Sequence, residues 1–234
     1  AVLGVALLAT LCMLALTLGG PVAAPLGVGL GLFLVLGSFS DILNRSWRRG
    51  TPLALAAKKA RRLPRSTWGT AVAHAGVGVA VIGIAASAWS VESLGTLKVG
   101  ETIVAGPYEA RLERVVPRTG PNYREDVVTL TVFRNGRELG PLETMKRLYV
   151  TRGMPTTEAG IMSVGLSQVY ATVGEVQANG GVALHLFHKP LILLIWLGAA
   201  IMAIGGGLSL TDRRLRVGVP VRARPARAMP LAAE

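Results

Sequence analysis

The sequence has little of what ordinary soluble domains contain. Only 16% of its 234 residues are charged and 5% are aromatic, whereas soluble domains carry about 25% charged residues. Together with a mean hydropathy of +0.49, this shortage of charge favours a membrane protein. A single cysteine, Cys12, excludes a disulfide framework and a CxxC metal or redox site. It lies in an apolar run, where cysteine acts as a small hydrophobic residue.

Several familiar signals are also missing. The sequence contains no Walker A, GxSxG or HExxH motif, so it does not indicate the nucleotide, hydrolase or zinc-protease sites that those motifs build. No Lys or Arg precedes Asn44, so the chain lacks the basic start of a signal peptide. Because the first residue is Ala1 within an apolar run, we expect the chain to begin inside a membrane helix of a longer protein.

What the sequence does contain is a set of apolar segments, each close to the 20 or so residues that cross a bilayer. We predict an α-helical integral membrane protein with four transmembrane helices and an inserted small all-β periplasmic domain. Residues 1–43 form two of the helices (1–19 and 24–43), and residues 67–89 and 190–210 form the others. A basic cytoplasmic loop covers 44–66, the periplasmic domain covers 90–189, and a basic cytoplasmic tail covers 211–234.

The inserted segment has the pattern of short β-strands. Asn135-Gly136 and Asn179-Gly180 supply the positive φ angles that tight hairpin turns need. Strand candidates cover residues 108–116, 146–150 and 168–176, and about six short strands predict a small sandwich or barrel. Gly120-Pro-Asn-Tyr123 indicates a turn, which either only connects strands or serves as an exposed recognition loop.

The distribution of positive charge predicts the topology. The formal charge is +12, and the loop over 44–66 carries eight Lys and Arg residues without an acid. Because Lys and Arg concentrate in cytoplasmic loops, we place this loop and the tail inside, and the nearly neutral segment 90–189 outside. The charge then indicates contact with the anionic lipid bilayer, and no nucleic-acid partner is expected. Residues 53–57 and the bases after them fit an interfacial helix or a solvated loop equally well.

Three histidines are the candidates for chemistry. His185 and His188 lie three apart, which puts them on opposite faces of a strand. His74 lies inside the third span among small residues, and an ionisable residue within a membrane by default indicates function. Either His74 hydrogen-bonds across a close helix contact, or the small residues leave room for a macrocycle and His74 is an axial ligand of haem iron.

A set of short motifs resembles one family. Trp68-Gly69 and Ala73-His74-Ala75-Gly76 on a span are followed by Gly120-Pro121-Asn122-Tyr123, Lys146-Arg147-Leu148-Tyr149, Thr157-Glu158-Ala159 and Lys189-Pro190. Their order and spacing resemble the C-terminal part of the cytochrome c-type biogenesis protein CcmF, the haem lyase component of system I. The resemblance covers about residues 62–214.

The resemblance implies a function and a set of partners. Such proteins attach haem to apocytochrome c in the periplasm, receive it from the chaperone CcmE, work with CcmH and CcmI, and hold haem b in the inner membrane. His74 matches one of the two transmembrane histidine ligands of that haem. The family's tryptophan-rich WWD segment, its two external histidines and its other membrane histidine have no counterpart in this sequence. The chain is therefore expected to be a fragment or a split subunit that is inactive alone.

Two other functions stay open at this point. A non-enzymatic membrane-anchored interaction module would use His74 for packing only. A b-type cytochrome subunit of an electron-transfer complex would use it for haem without any role in cytochrome c maturation.

Overall fold

The computed structural model describes residues 1–48, 50–151, 153–177 and 180–212. Within these residues, four α-helices are followed by nine strands and a last helix. The helices are α1 (Val2–Leu16), α2 (Ala23–Ser46), α3 (Leu53–Arg61), α4 (Arg65–Ala86, with a 3₁₀ turn at Ser87–Trp89) and α5 (Leu193–Leu210). The strands are β1 (Val91–Leu97), β2 (Thr102–Ala105), β3 (Tyr108–Thr119), β4 (Tyr123–Arg134), β5 (Arg137–Tyr149), β6 (Met154–Glu158), β7 (Gly160–Val164), β8 (Ser167–Val176) and β9 (Val182–Lys189).

Three helices of the described chain are long and apolar enough to cross a membrane: Ala23–Ser46, Arg65–Trp89 and Leu193–Leu210. They lie where the second, third and fourth spans are predicted. Helix α1 is apolar but has 15 residues, or about 22 Å at the helical rise, against a hydrocarbon core of about 30 Å. A full crossing by residues 1–19 therefore stays a prediction.

Glycines seven residues apart bring α4 and α5 into close contact. Gly69, Gly76 and Gly83 on α4 lie against α5, and Gly198 and Gly205 on α5 lie against α4. A Cβ at Gly76 would lie 2.7 Å from the Gly198 carbonyl oxygen, and a Cβ at Gly198 would lie 2.6 Å from the Gly76 carbonyl oxygen. Such close approach of two backbones is what small residues permit between membrane helices.

Helix α2 packs on another side of α4 and runs antiparallel to it. A Cβ on Gly27 would meet Ala85, and a Cβ on Gly31 would meet the Gly78 carbonyl oxygen. Residue numbers therefore fall along α4 as they rise along α2, so Ser38 is level with His74. The start of α4 is tied to the end of α5, because the Ser66 backbone N–H donates to the Asp212 carboxylate at 3.0 Å.

The inserted segment is a β-sandwich, and the alternative of a barrel is wrong. One sheet has the order β1-β9-β8-β7 and the other has the order β2-β3-β4-β5-β6. Its nine strands exceed the predicted six, because the short strands β2, β6 and β7 have too few residues to show an alternating pattern. The largest buried side chains of its core include Tyr108, Leu112, Leu130, Leu184 and Leu186.

The hairpin turn at Asn135-Gly136 is confirmed. Asn135 has φ 50° and Gly136 has φ 77°, and they join β4 to β5, where Arg134 pairs with Arg137. For the other predicted hairpin, Asn179 lies outside the described residues, but β8 and β9 pair on either side of it, from Val176 and Val182 onwards.

The two chain connections show which end of the sandwich faces the helices. Strand β1 begins directly after the 3₁₀ turn of α4, and β9 leads into α5, with Val91 paired to His188 at this end. The β7–β8 turn lies here as well, because the Leu193 N–H of α5 donates to the Leu166 carbonyl at 3.2 Å. The turns at Gly120 and between β5 and β6 therefore lie at the far end.

The basic loop contains a short helix, α3, whose Ala56 is buried. The Trp68 Nε1–H of α4 donates to the Ala60 carbonyl at 3.1 Å, which fixes α3 against the membrane helices. The placement of α3 in the bilayer interface stays a prediction. The predicted tail, from residue 213 onwards, lies outside the described residues.

Candidate functional site

His74 lies on α4 with its side chain exposed. Its Nδ1 is 2.8 Å from the Thr70 carbonyl oxygen, one turn earlier in the same helix. A carbonyl oxygen only accepts hydrogen bonds, so Nδ1 carries the proton and donates. The lone pair of Nε2 is then free, and the ring is held in one orientation, which is the usual arrangement for a histidine that ligates a metal.

The structure does not show the hydrogen bond across a helix contact that the packing interpretation gives to His74. Its hydrogen bond stays within α4 instead of crossing to another helix. Gly76, which carries the contact with α5, lies about 200° around the helix from His74 at 100° per residue. The histidine therefore points away from α5 and lies on the side of α4 that faces α2, about 40° around the helix from Gly78.

A groove of about 480 Å³ lies beside His74, between α2 and α4, which is within the usual range for small-molecule sites, about 300–1,000 Å³. The α2 wall includes Gly37, and nothing lies within 4 Å of where its Cβ would be, so this wall stays open. Seven residues line the part of the groove around and beyond His74: Phe33, Leu34, Gly37, Ser38, Thr70, Ala71 and His74. Four polar residues line it further along: Asp41, Arg45, Ser66 and Thr67.

The chemistry of this site is that of a single imidazole donor. Among the described residues, no group of three His, Cys, Asp or Glu side chains could hold a metal ion. An isolated metal ion would therefore lack ligands here, whereas a haem brings four nitrogen ligands of its own and needs only axial donors from protein. The groove and the free Nε2 fit such a group.

The other two histidines lie on opposite faces of β9, as predicted. His188 is on the core side, with its ring 5.0 Å from that of Tyr108. Burial, and then the charge of Arg134, lowers the pKa of His188. His185 is on the outer side, with its Nε2 3.4 Å from the Glu92 carboxylate and its ring 3.8 Å from that of Phe187.

Three of the motifs that carry the family resemblance in the sandwich come together at its far end. Arg147 lies over the Tyr123 ring at 4.1 Å, and the Tyr123 and Tyr149 rings are 6.0 Å apart. Arg147 also pairs with Glu158 at 3.3 Å. A Cβ on Gly120 would overlap the Tyr123 ring, so this glycine lets the ring fold over the turn. These residues therefore have a clear structural role.

The centre of this cluster is Glu125, which the sequence analysis missed. Its side chain is 0% exposed although it lies on the outer face of the five-stranded sheet, and it pairs with Arg118 and Arg147. Burial alone would raise the pKa of Glu125, but the hydrogen bonds from Arg147 and Arg118 outweigh it, so the pKa lies below its usual value. The sequence carried one signal for this cluster. Glu125 follows Tyr123 by two residues, and residues two apart in a strand lie on the same face of the sheet.

Comparison with known proteins agrees with this architecture. Residues 88–190 match the family model described as the CcmF C-terminal beta-sandwich. The cytochrome c-type biogenesis protein CycK of Bradyrhizobium diazoefficiens is 46% identical over 213 residues, covering 91% of this chain and 32% of CycK. CcmF of Pseudomonas aeruginosa is 36% identical over 198 residues, covering 84% of this chain and 29% of that protein.

The chain matches the C-terminal portion of the CcmF family. A solved structure of the cytochrome c haem lyase CcmF has the same fold, with a TM-score of 0.68 at 20% identity over 89% of this chain and 34% of that one. The chain thus spans about a third of the length of its relatives. It is a membrane protein with an inserted β-sandwich, and its relatives are cytochrome c-type biogenesis proteins.

Proposed function

We propose that this chain works in c-type cytochrome maturation as the C-terminal part of a membrane haem lyase component, and that His74 supplies one axial ligand to a b-type haem. The names of the relatives support the process. The observation that supports the ligand is the free Nε2 of His74, oriented by the bond from Nδ1 to the Thr70 carbonyl, beside an open groove.

The chain's own residues have limited tasks in this proposal. Thr70 fixes the tautomer and direction of His74, and the glycine contact with α5 keeps α4 in place. Phe33 and Leu34 supply apolar surface for the flat face of the ligand. When bound, a b-type haem supplies one-electron redox chemistry. The second axial ligand would come from outside the described residues.

The remaining parts of the proposal concern partners and location. We infer an inner-membrane location with the sandwich in the periplasm, where apocytochrome c, the chaperone CcmE, CcmH and CcmI would be met. The rest of a CcmF-like protein and the lipid bilayer would complete the surroundings of α2, α4 and α5. Covalent attachment of haem is proposed for that assembly, and this chain alone is not expected to perform it.

The test is the optical spectrum of the purified membrane assembly with His74→Ala, compared with His185→Ala as a matched histidine control. We expect His74→Ala to lose b-haem absorption and mature c-type cytochromes, and His185→Ala to keep both. Added imidazole should partly restore the spectrum of His74→Ala if the helix is intact.

Three outcomes separate the candidate functions. Unchanged b-haem absorption in His74→Ala would contradict the haem proposal and favour the interaction module. Loss of haem with failed cytochrome c maturation but intact respiratory electron transfer supports the maturation role. Loss of haem together with respiratory electron transfer, while cytochrome c still matures, would favour a b-type cytochrome subunit.

A further inference from the structure

We propose that Arg45 binds a carboxylate of the ligand in the His74 groove, namely a propionate of the haem. This inference rests on the proposed ligation by His74 and adds the residue that orients the ligand within the groove. Arg45 lies in the last turn of α2 and lines the same groove as His74.

The antiparallel packing of α2 and α4 sets the position of Arg45. Gly27 meets Ala85 and Gly31 meets Gly78, so continuing along both helices puts Arg45 level with the first turns of α4, where Ser66 and Thr67 also line the groove. From there to the level of His74 is about two helical turns, or about 10 Å. Arg45 is thus offset from the histidine along the groove.

Polarity changes along the groove in the same direction. Phe33 and Leu34 line the end beyond His74, and Ser38 and Thr70 lie near the histidine. The other end carries the charged side chain of Arg45 with Ser66 and Thr67. A haem has the same division, because its porphyrin is apolar and its two carboxylates lie on one edge. The groove therefore fits a haem whose carboxylate edge points towards Arg45.

Arg45 is placed to take part in such a contact. Its Nε is 2.9 Å from the Asp41 carboxylate, and both side chains are 56% exposed. A guanidinium has five N–H donors and binds carboxylates in a bidentate manner, so this ion pair leaves donors available. Asp41 also lines the groove, and its negative charge opposes a second carboxylate. The two partners of the ion pair should therefore act on the ligand in opposite directions.

The experiment uses the full chain in nanodiscs of phosphatidylcholine, so that no anionic lipid competes for Arg45. Ferric protoporphyrin IX and its dimethyl ester, which lacks free carboxylates, are titrated separately and followed by their Soret absorption. We expect Arg45→Gln to weaken binding of the free acid by up to about 5-fold, which is the size of effect that a partly exposed charge pair has. Binding of the ester should not change.

Two matched variants separate recognition from helix stability. Asp41→Asn breaks the same ion pair as Arg45→Gln but should bind the free acid at least as tightly as the wild type. Arg48→Gln removes a nearby charge that does not line the groove and should change neither titration. Arg45→Lys should keep part of the preference for the free acid, which shows that the substituted helix still folds.

The possible failures are distinguishable. Equal weakening by Arg45→Gln and Asp41→Asn, or equal weakening of acid and ester by Arg45→Gln, would overturn the role of Arg45 and leave only a structural ion pair. The same holds if His74→Ala abolishes binding while Arg45→Gln keeps the full preference for the acid. If His74→Ala binds both porphyrins like the wild type, the proposed ligation itself is wrong.

Discussion

At the scale of single residues, Glu125 shows how a charge can be buried on the outer face of a sheet. Its neighbours Arg118 and Arg147 cover it and neutralise it, and Arg147 is in turn held over the Tyr123 ring. Removing one partner of such a pair leaves the other charges without compensation, which costs more than the pair contributes. Glu125 is therefore a structural residue of the far end of the sandwich.

We expect Glu125→Gln to lower the stability of this end by about 1–3 kcal/mol, because the amide cannot accept two charged hydrogen bonds. Amide hydrogen exchange of β3, β4 and β5 in the full chain measures the loss. Glu113→Gln is the control, since its pair with Arg111 is partly exposed, unlike the fully buried Glu125, and exposed pairs contribute little.

We also expect the stability difference between the wild type and Glu125→Gln to depend on pH. Because the pKa of Glu125 lies below its usual value of 4.5, its stabilisation is fully present above that pH and is lost as the pH falls through the folded-state pKa. The difference in exchange protection between wild type and Glu125→Gln should therefore shrink below about pH 4.5. A constant difference down to low pH would assign the effect to shape instead of charge.

At the scale of elements, the contact between α4 and α5 depends on individual glycines rather than on glycine content. The three consecutive glycines Gly205, Gly206 and Gly207 lie in α5, and only the first of them lies against α4. A Cβ at Gly205 would lie 2.7 Å from the Gly69 carbonyl oxygen, whereas nothing lies within 4 Å of one at Gly206 or Gly207.

We therefore expect alanine to have different effects at the adjacent residues Gly205 and Gly206. Gly205→Ala should lower the free energy of unfolding by about 1–3 kcal/mol, as overpacking does, because backbone on α4 cannot move aside. Gly206→Ala should be neutral or stabilising by up to about 1 kcal/mol, since alanine favours helix. The two variants are compared by thermal unfolding of the purified chain in detergent, monitored by circular dichroism. Equal stabilities would show that α4 and α5 do not pack as closely as described.

At the scale of the whole molecule, the sandwich is joined to the helices by two direct connections, from α4 into β1 and from β9 into α5. Both connections of the inserted domain therefore lie at the same end of α4 and α5. The basic loop that holds α3 joins the end of α2 to the start of α4, at the end of the helices away from the sandwich. Loops rich in Lys and Arg are retained in the cytoplasm.

We therefore expect a reporter fused after Glu234 to be cytoplasmic and one inserted at the Asn135-Gly136 turn to be periplasmic. Alkaline phosphatase and green fluorescent protein fusions, which are active on opposite sides, provide the measurement. An active phosphatase after Glu234 would show that the orientation is the reverse, and it would contradict the proposed contact with apocytochrome c in the periplasm.

By itself, the sequence determined the features that depend on local pattern. Hydropathy over about 20 residues marked α2, α4 and α5, Asn135-Gly136 marked a hairpin, and a lone ionisable residue within a span marked His74. Only the tertiary structure decided which distant residues meet. Arg45 and His74 share a groove because α2 and α4 run antiparallel, and Glu125 is buried because arginines from β3 and β5 close over it. Such contacts join residues far apart in the chain, and no local period records them.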